Sequence, residues 1–154
     1  MKELRVTPIK NGTVIDHITP GFALKVLRVL KLPEATSSVV SVAMNVKSRM
    51  GRKDIVKVEN RELDPKEVDK ISLIAPYATI NEIEDWKVAR KSRVSLPDKI
   101  ERILKCPNPK CVTNYKEPVF TEFLVENKDP IILRCVYCER LIDWSPNMLF
   151  PEES

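Results

Sequence analysis

The chain has 154 residues, with no glutamine, a single histidine, and only three glycines against twelve prolines. Each scarcity excludes something. The sequence contains neither a P-loop nor a G-x-S-x-G nucleophile elbow. The lone histidine, His17, has no second histidine to work with. It is followed by Ile18-Thr19, so the H-x-E signature of the zinc deaminases also fails. No apolar run approaches the roughly 20 residues that a membrane-spanning helix needs. The opening MKELRVTPIK is too charged for an export signal. The expectation is a soluble, cytoplasmic protein with no membrane partner, in which His17 is not catalytic. Missing glutamine and the surplus of proline over glycine also suit a heat-stable protein.

What is present is globular in character: 43% hydrophobic and 31% charged residues. The 26 basic residues exceed the 22 acidic ones by four, giving a net charge of +4. That excess is compatible with an anionic ligand and too small to mark a nucleic-acid binder. The length suits one ordinary domain or two small ones.

Residues 4 to about 91 read as a compact α+β unit. LRVTPI and GTVIDHI look extended. Thr19 is the expected N-cap of a first helix with Pro20 in its first position, and Phe22, Val26, Val29 and Leu30 form its apolar face. SSVVSVAMNV, rich in β-branched residues, reads as a strand. So does DIVKVEN, in which Val56 and Val58 should face one way and Ile55, Lys57 and Glu59 the other. Asp64-Pro65-Lys66-Glu67 has the form of a capping box opening a second helix, with Val68, Ile71 and Ile74 as its stripe. ATINEIEDWKV closes the set as a strand, or as a strand pair bent near Asp85. The order β-α-β-β-α-β is ferredoxin-like. Neighbours on a strand point to opposite faces, so Asp16 is not expected to act with His17.

KSRVSLPDKIE reads as the joint, giving domains 1–96 and 97–154, with a short helix expected from Asp98 to Leu104. The second part is about fifty residues, a size at which an apolar core alone is marginal. It holds all four cysteines, as Cys106-x4-Cys111, a gap of 23 residues, then Cys135-x2-Cys138. Two knuckles supplying two thiolates each suit a structural zinc ion with no position open for water. Two disulfides or an iron–sulfur cluster are the alternatives, the first disfavoured in a reducing compartment. EPVFTEFLVE and DPIILRC look strand-like, so the expected module is a small all-β zinc ribbon.

Five ordered stretches then coincide: GTVIDHI, MGRKDIVKVEN, APYATINEI, KSRVSLP, and the cysteine quartet with its CPN and CVYCE. Together, and nearly end to end, they resemble the regulatory chain of aspartate carbamoyltransferase. That resemblance implies a non-catalytic allosteric subunit whose first domain binds nucleoside triphosphates (CTP, with UTP or ATP) in feedback control of pyrimidine biosynthesis. Its second domain, built on one Zn2+ held by Cys106, Cys111, Cys135 and Cys138, would grip the catalytic chain, and the regulatory chains would pair as dimers. Carried over by motif, the effector-binding residues would be Val6, Ile9, Asp16, His17, Lys53, Ile55, Lys57, Asn81, Ile83, Trp86, Val88 and Lys91. Asn108, Lys110 and Glu139 would contact the partner. Departures from the family pattern fall at Glu3, Pro8, Trp86 and Lys110.

Each of these residues also has a plainer reading. His17 could be exposed or hydrogen-bonded without a special role, and Lys53, Lys57, Arg90, Lys91 and Arg93 could be solvated charges. Trp86 could be a core or interface aromatic. The Val39–Val46 segment could serve dimerisation by edge pairing. A rival of another class is a nucleic-acid-binding protein, an RRM-like sheet followed by a zinc ribbon. DIVKVEN lacks the stacking aromatics that such a sheet carries.

Overall fold

Asp54, Val56 and Val58 are wholly buried, while Ile55, Lys57 and Glu59 between them stay partly exposed. This is the alternation of a strand with one covered face, and the first unit is built around it. The computed structural model describes residues 8–32, 34, 36–49, 51–115, 119–145 and 148–149. The chain divides into two units, Met1–Ser95 and Leu96–Ser154.

In the first unit the elements run β1 (Gly12–Ile18), α1 (Ala23–Val29), β2 (Val40–Ser48), β3 (Gly51–Glu59), α2 (Pro65–Ile74), β4 (Thr79–Glu84) and β5 (Lys87–Arg93). The strands form one sheet in the order β2-β3-β1-β4-β5, antiparallel at every junction. This is the expected ferredoxin-like β-α-β-β-α-β arrangement, extended at one edge by β5. The strand pair bent at Asp85 is therefore the form the last segment takes. One face of the sheet buries Ile15, Ile18, Val56, Val58 and Ile80 together with Val26 and Leu30 from α1 and Ile71 and Leu73 from α2. Of the expected strand LRVTPI, only Pro8 and Ile9 lie among the described residues, and neither is in a strand.

The capping box of α2 forms as expected: Asp64 accepts from the Glu67 N–H, and the Glu67 side chain accepts from the Asp64 N–H. The start of α1 does not. Thr19-Pro20-Gly21 is a turn, closed by the Phe22 N–H donating to the Thr19 carbonyl, and the helix begins only at Ala23. Its cap comes from another strand. Asp54 on β3 accepts from the N–H groups of Gly21 and Ala23 at 3.0 and 3.1 Å, so a local cap is redundant. Of the expected α2 stripe, Ile71 and Ile74 are buried and Val68 is half-buried.

In the second unit β6 (Lys99–Glu101), β7 (Glu122–Lys128), β8 (Ile131–Cys135) and β9 (Leu141–Asp143) form a four-stranded antiparallel sheet in that order. Phe123, Leu133, Ile100 and Leu104 are its innermost side chains. The helix expected over 98–104 is absent. Ile100 pairs with Phe123 in the sheet, and Arg102 has a φ of 62°, which an α-helix does not allow.

Candidate functional site

Lys57, Val14, Asn81 and Lys91 lie in one register row across β3, β1, β4 and β5. Register partners on antiparallel strands share a face, and this row lies on the face opposite the helices. Lys53 and Ile55 flank Lys57 on the same side of β3. Burial lowers the Lys57 ammonium pKa below its ordinary value, and the nearby Asp16 carboxylate partly offsets this. The side-chain amide of Asn81 donates to the Val14 carbonyl at 3.4 Å.

Two bulges complete this face. In β1, Ile15 pairs with Val56 and Ile18 with Asp54, so Asp16 and His17 share the space opposite Ile55. His17 takes a φ of 58° there, and its N–H donates to the Asp16 carboxylate at 2.7 Å. Its ring Nδ1 lies 3.2 Å from the Thr79 hydroxyl and 3.9 Å from Asp16. The expectation that Asp16 and His17 point apart is therefore corrected: an extra residue in one strand breaks the alternation. Asp16 also pairs with Lys53 at 2.9 Å. In β5 the register shifts so that Ile83 faces Val88 while Asn81 faces Lys91. The bulge at Ala89 thus brings Val88 and Lys91, three residues apart, to one side.

Trp86 stands apart from the row, in the β4–β5 turn, and it is not a core residue: its side chain is 61% exposed. Asp85 and Trp86 have φ values of 50° and 71°, the left-handed pair of a type I′ hairpin. The turn is clamped from the segment before β1, where the Lys10 carbonyl accepts from the Trp86 N–H and the Asn11 side chain from the Asp85 N–H. Ile9 is buried, and Val6 lies outside the described residues. A cleft of about 390 Å3 opens beside this face, lined by Gly12, Arg61, Glu62, Glu82, Ile83 and Glu84. Its three acids oppose a polyanion, and among the described residues Ile83 is the only expected effector residue lining it.

Sequence reasoning missed three residues that shape this unit. Thr79 meets His17, Asn11 clamps the turn, and Asp54 caps α1 while also accepting from the Asn45 N–H at 2.8 Å in a bulge of β2. The signal for Asp54 was its parity with Val56 and Val58, which placed a carboxylate on the buried face.

In the second unit the four sulfurs converge within 4.8 Å of one another. Cys106 and Cys138 are 3.8 Å apart, and Cys111 and Cys135 are 3.7 Å apart. Thiolates about 2.3 Å from a tetrahedral ion stand about 3.8 Å from each other, whereas a disulfide requires about 2.05 Å. The quartet fits one ion and not two disulfides. Without the ion, burial raises the thiol pKa values of Cys106 and Cys135. Burial also acts to raise Cys138, but bonds from the Arg140 N–H, the Asn108 side chain and the neighbouring thiols bring it down to about 7. Asn108 and Lys110 lie on the first knuckle and Glu139 follows the second; Lys110 and Glu139 are exposed, and Asn108 is half-buried.

A ferredoxin-like unit followed by a small all-β unit closed on a four-thiol site defines a two-unit α+β protein with a structural metal centre. Residues 4–95 match the family model of the aspartate carbamoyltransferase regulatory chain, allosteric domain, and residues 98–145 match that of its metal binding domain. The chain is 58% identical over 142 residues to the aspartate carbamoyltransferase regulatory chain of Methanothermobacter thermautotrophicus, covering 92% of this chain and 90% of that one. It is 55% identical over 144 residues to that of Methanocella arvoryzae, covering 92% of each, and 54% identical over 145 residues to that of Pyrococcus abyssi, covering 93% and 95%. The chain belongs to the family of aspartate carbamoyltransferase regulatory chains. It is accordingly a non-catalytic subunit carrying a metal-binding domain, and among the described residues no helix is long and apolar enough to cross a membrane.

Proposed function

We propose that the first unit binds nucleoside triphosphates, CTP with UTP or ATP, on its uncovered sheet face. The second unit, folded around one Zn2+, docks on the catalytic chain of aspartate carbamoyltransferase and passes on feedback control of pyrimidine biosynthesis. In this reading the protein is cytoplasmic, and neither nucleic acid nor a membrane is a partner.

The observation that carries the reading is the row Lys57–Val14–Asn81–Lys91, with Asp16 and His17 bulged onto the same face. Three strand spacings of about 4.8 Å separate Lys57 from Lys91, roughly 14 Å, a span a nucleoside triphosphate can bridge. The two ammonium groups meet phosphate oxygens as point charges. Val14, Ile83 and Val88 offer apolar contact to a base, and the Asn81 amide and strand backbone supply polar groups. Trp86, at the end of the sheet, is free to lay its ring against the nucleoside.

Zinc is favoured for the metal because four thiolates in a closed tetrahedron serve a structural role. Lys110 and Glu139 beside the knuckles suit contact with the catalytic chain. Pairing with a second regulatory chain is supported by β2, an edge strand whose Val42 and Met44 are exposed, as is Val39 just before it. The RNA-binding alternative is not favoured, because on the uncovered side β1 and β3 present Gly12, Val14, Asp16, Ile55, Lys57 and Glu59, none of them aromatic.

An effector that favours one quaternary state by about 1–3 kcal/mol changes substrate affinity roughly 5- to 150-fold. The test is to mix the chain with catalytic trimers and assay carbamoyl transfer with and without each nucleotide, before and after metal stripping. Rates unmoved by every triphosphate would overturn the reading.

A further inference from the structure

The first cysteine knuckle is braced by side chains that the family resemblance did not assign to the metal. Thr113, in the short 3-10 turn Val112–Asn114, places its hydroxyl 3.1 Å from the Cys111 sulfur. The Asn108 side-chain oxygen accepts from the Lys110 N–H at 3.1 Å. Asn114 holds the loop, its amide donating to the carbonyls of Cys106 and Asn108 at 2.9 and 2.7 Å.

We infer that Thr113 and Asn114 are positioning residues of the metal centre, Thr113 aiming the Cys111 thiolate by its hydroxyl and Asn114 fixing the loop that carries Cys106, and that they set how slowly the ion leaves. A thiolate with a donor on its sulfur carries less negative charge and is fixed in direction before the metal arrives. Groups that orient metal ligands in this way are worth about 10- to 100-fold in metal affinity. Asn114 is the more telling of the two. Its amide ties the Cys106 and Asn108 carbonyls together, so its effect on the ion is exerted through the backbone of the first knuckle. The inference rests on the reading of the quartet as a metal site.

The experiment measures release of zinc from the full chain to a chromogenic chelator, with the metal content of each preparation determined first. Thr113→Val should release zinc at least 10-fold faster than the parent chain, and Thr113→Ser, which keeps the hydroxyl, should restore the parent rate. Asn114→Asp removes the donors to the Cys106 and Asn108 carbonyls, so it should also release faster. Parent rates in both Thr113→Val and Asn114→Asp would overturn the inference while leaving the metal site standing. A parent chain that holds no metal would overturn both. If Thr113→Val does not fold, the near-isosteric Asn114→Asp decides: fast release supports the inference, and parent-like release sinks it.

Discussion

Lys57 and Lys91 lie in the same row of the sheet, with Val14 and Asn81 between them. In the proposed complex each meets one end of the polyphosphate, and neither replaces the other. Replacing either by alanine should weaken triphosphate binding by about 1.5–3 kcal/mol, the range for hydrogen bonds to charged groups, or roughly 10- to 100-fold. A nucleoside should be affected much less than its triphosphate. Titration calorimetry on both ligands checks this, and equal losses for nucleoside and triphosphate would contradict the assignment.

The same lysine predicts a pH response. Burial lowers the Lys57 pKa below 10.5 against the opposing pull of Asp16. The ammonium is therefore lost earlier than an exposed lysine's as pH rises, and triphosphate affinity should fall on the alkaline side. For folding the sign is opposite: the unfolded chain holds this proton more tightly, so this group favours the native state as pH rises between its lowered pKa and 10.5. Lys57→Arg should flatten the alkaline fall in affinity, because a guanidinium stays charged. Affinity measured from neutral to pH 10 on both proteins tests it.

Asp54 predicts a stability loss with no contact to any ligand. It is fully buried and accepts from three main-chain N–H groups, those of Gly21, Ala23 and Asn45. Asp54→Ala leaves all three without their acceptor, at about 1–3 kcal/mol for each buried group. A loss of about 3 kcal/mol or more is expected in denaturant unfolding of the first unit. A loss below 1 kcal/mol would mean that water replaces the carboxylate.

Gly12, at the start of β1, has a φ of 143°, and a Cβ there would lie 2.2 Å from the Val58 carbonyl oxygen. That oxygen is backbone and cannot swing aside. Gly51 has a φ of 108°, but nothing lies within 4 Å of its Cβ position. Gly12→Ala should therefore destabilise well beyond Gly51→Ala, whose cost is backbone strain of about 1–3 kcal/mol. Thermal melts of the two variants side by side decide it.

The features that read correctly from sequence were local or periodic. The alternation of DIVKVEN gave the covered face of β3, Asp64-Pro65-x-Glu67 gave the start of α2, and cysteine spacing gave the metal cluster. What did not read was set at a distance. The start of α1 depends on Asp54, some thirty residues away, so Thr19-Pro20 was a false signal. The bulges at Asp16-His17 and Ala89 each add one residue to a strand, and period-two reasoning cannot announce that shift. Without them His17 and Val88 would be assigned to the wrong face. The segment 98–104 has a helix-like pattern of apolar residues, but pairing of Ile100 with Phe123 overrides it.

Trp86 sets stability against function. A bulky residue at a φ of 71° costs roughly 1–2 kcal/mol relative to glycine, which is favoured at this turn position. The strain is held by main-chain and Asn11 bonds that do not depend on the indole, because the Trp86 N–H and Asp85 N–H are the donors. Trp86→Gly should keep both bonds, relieve the strain and raise the melting temperature of the first unit by a few degrees. It also removes the exposed ring proposed to cover the nucleoside, so nucleotide affinity should drop while inorganic triphosphate binding stays near its parent value. The opposite pair of results, a lower melting temperature with unchanged nucleotide affinity, would make Trp86 a structural residue and remove it from the effector site.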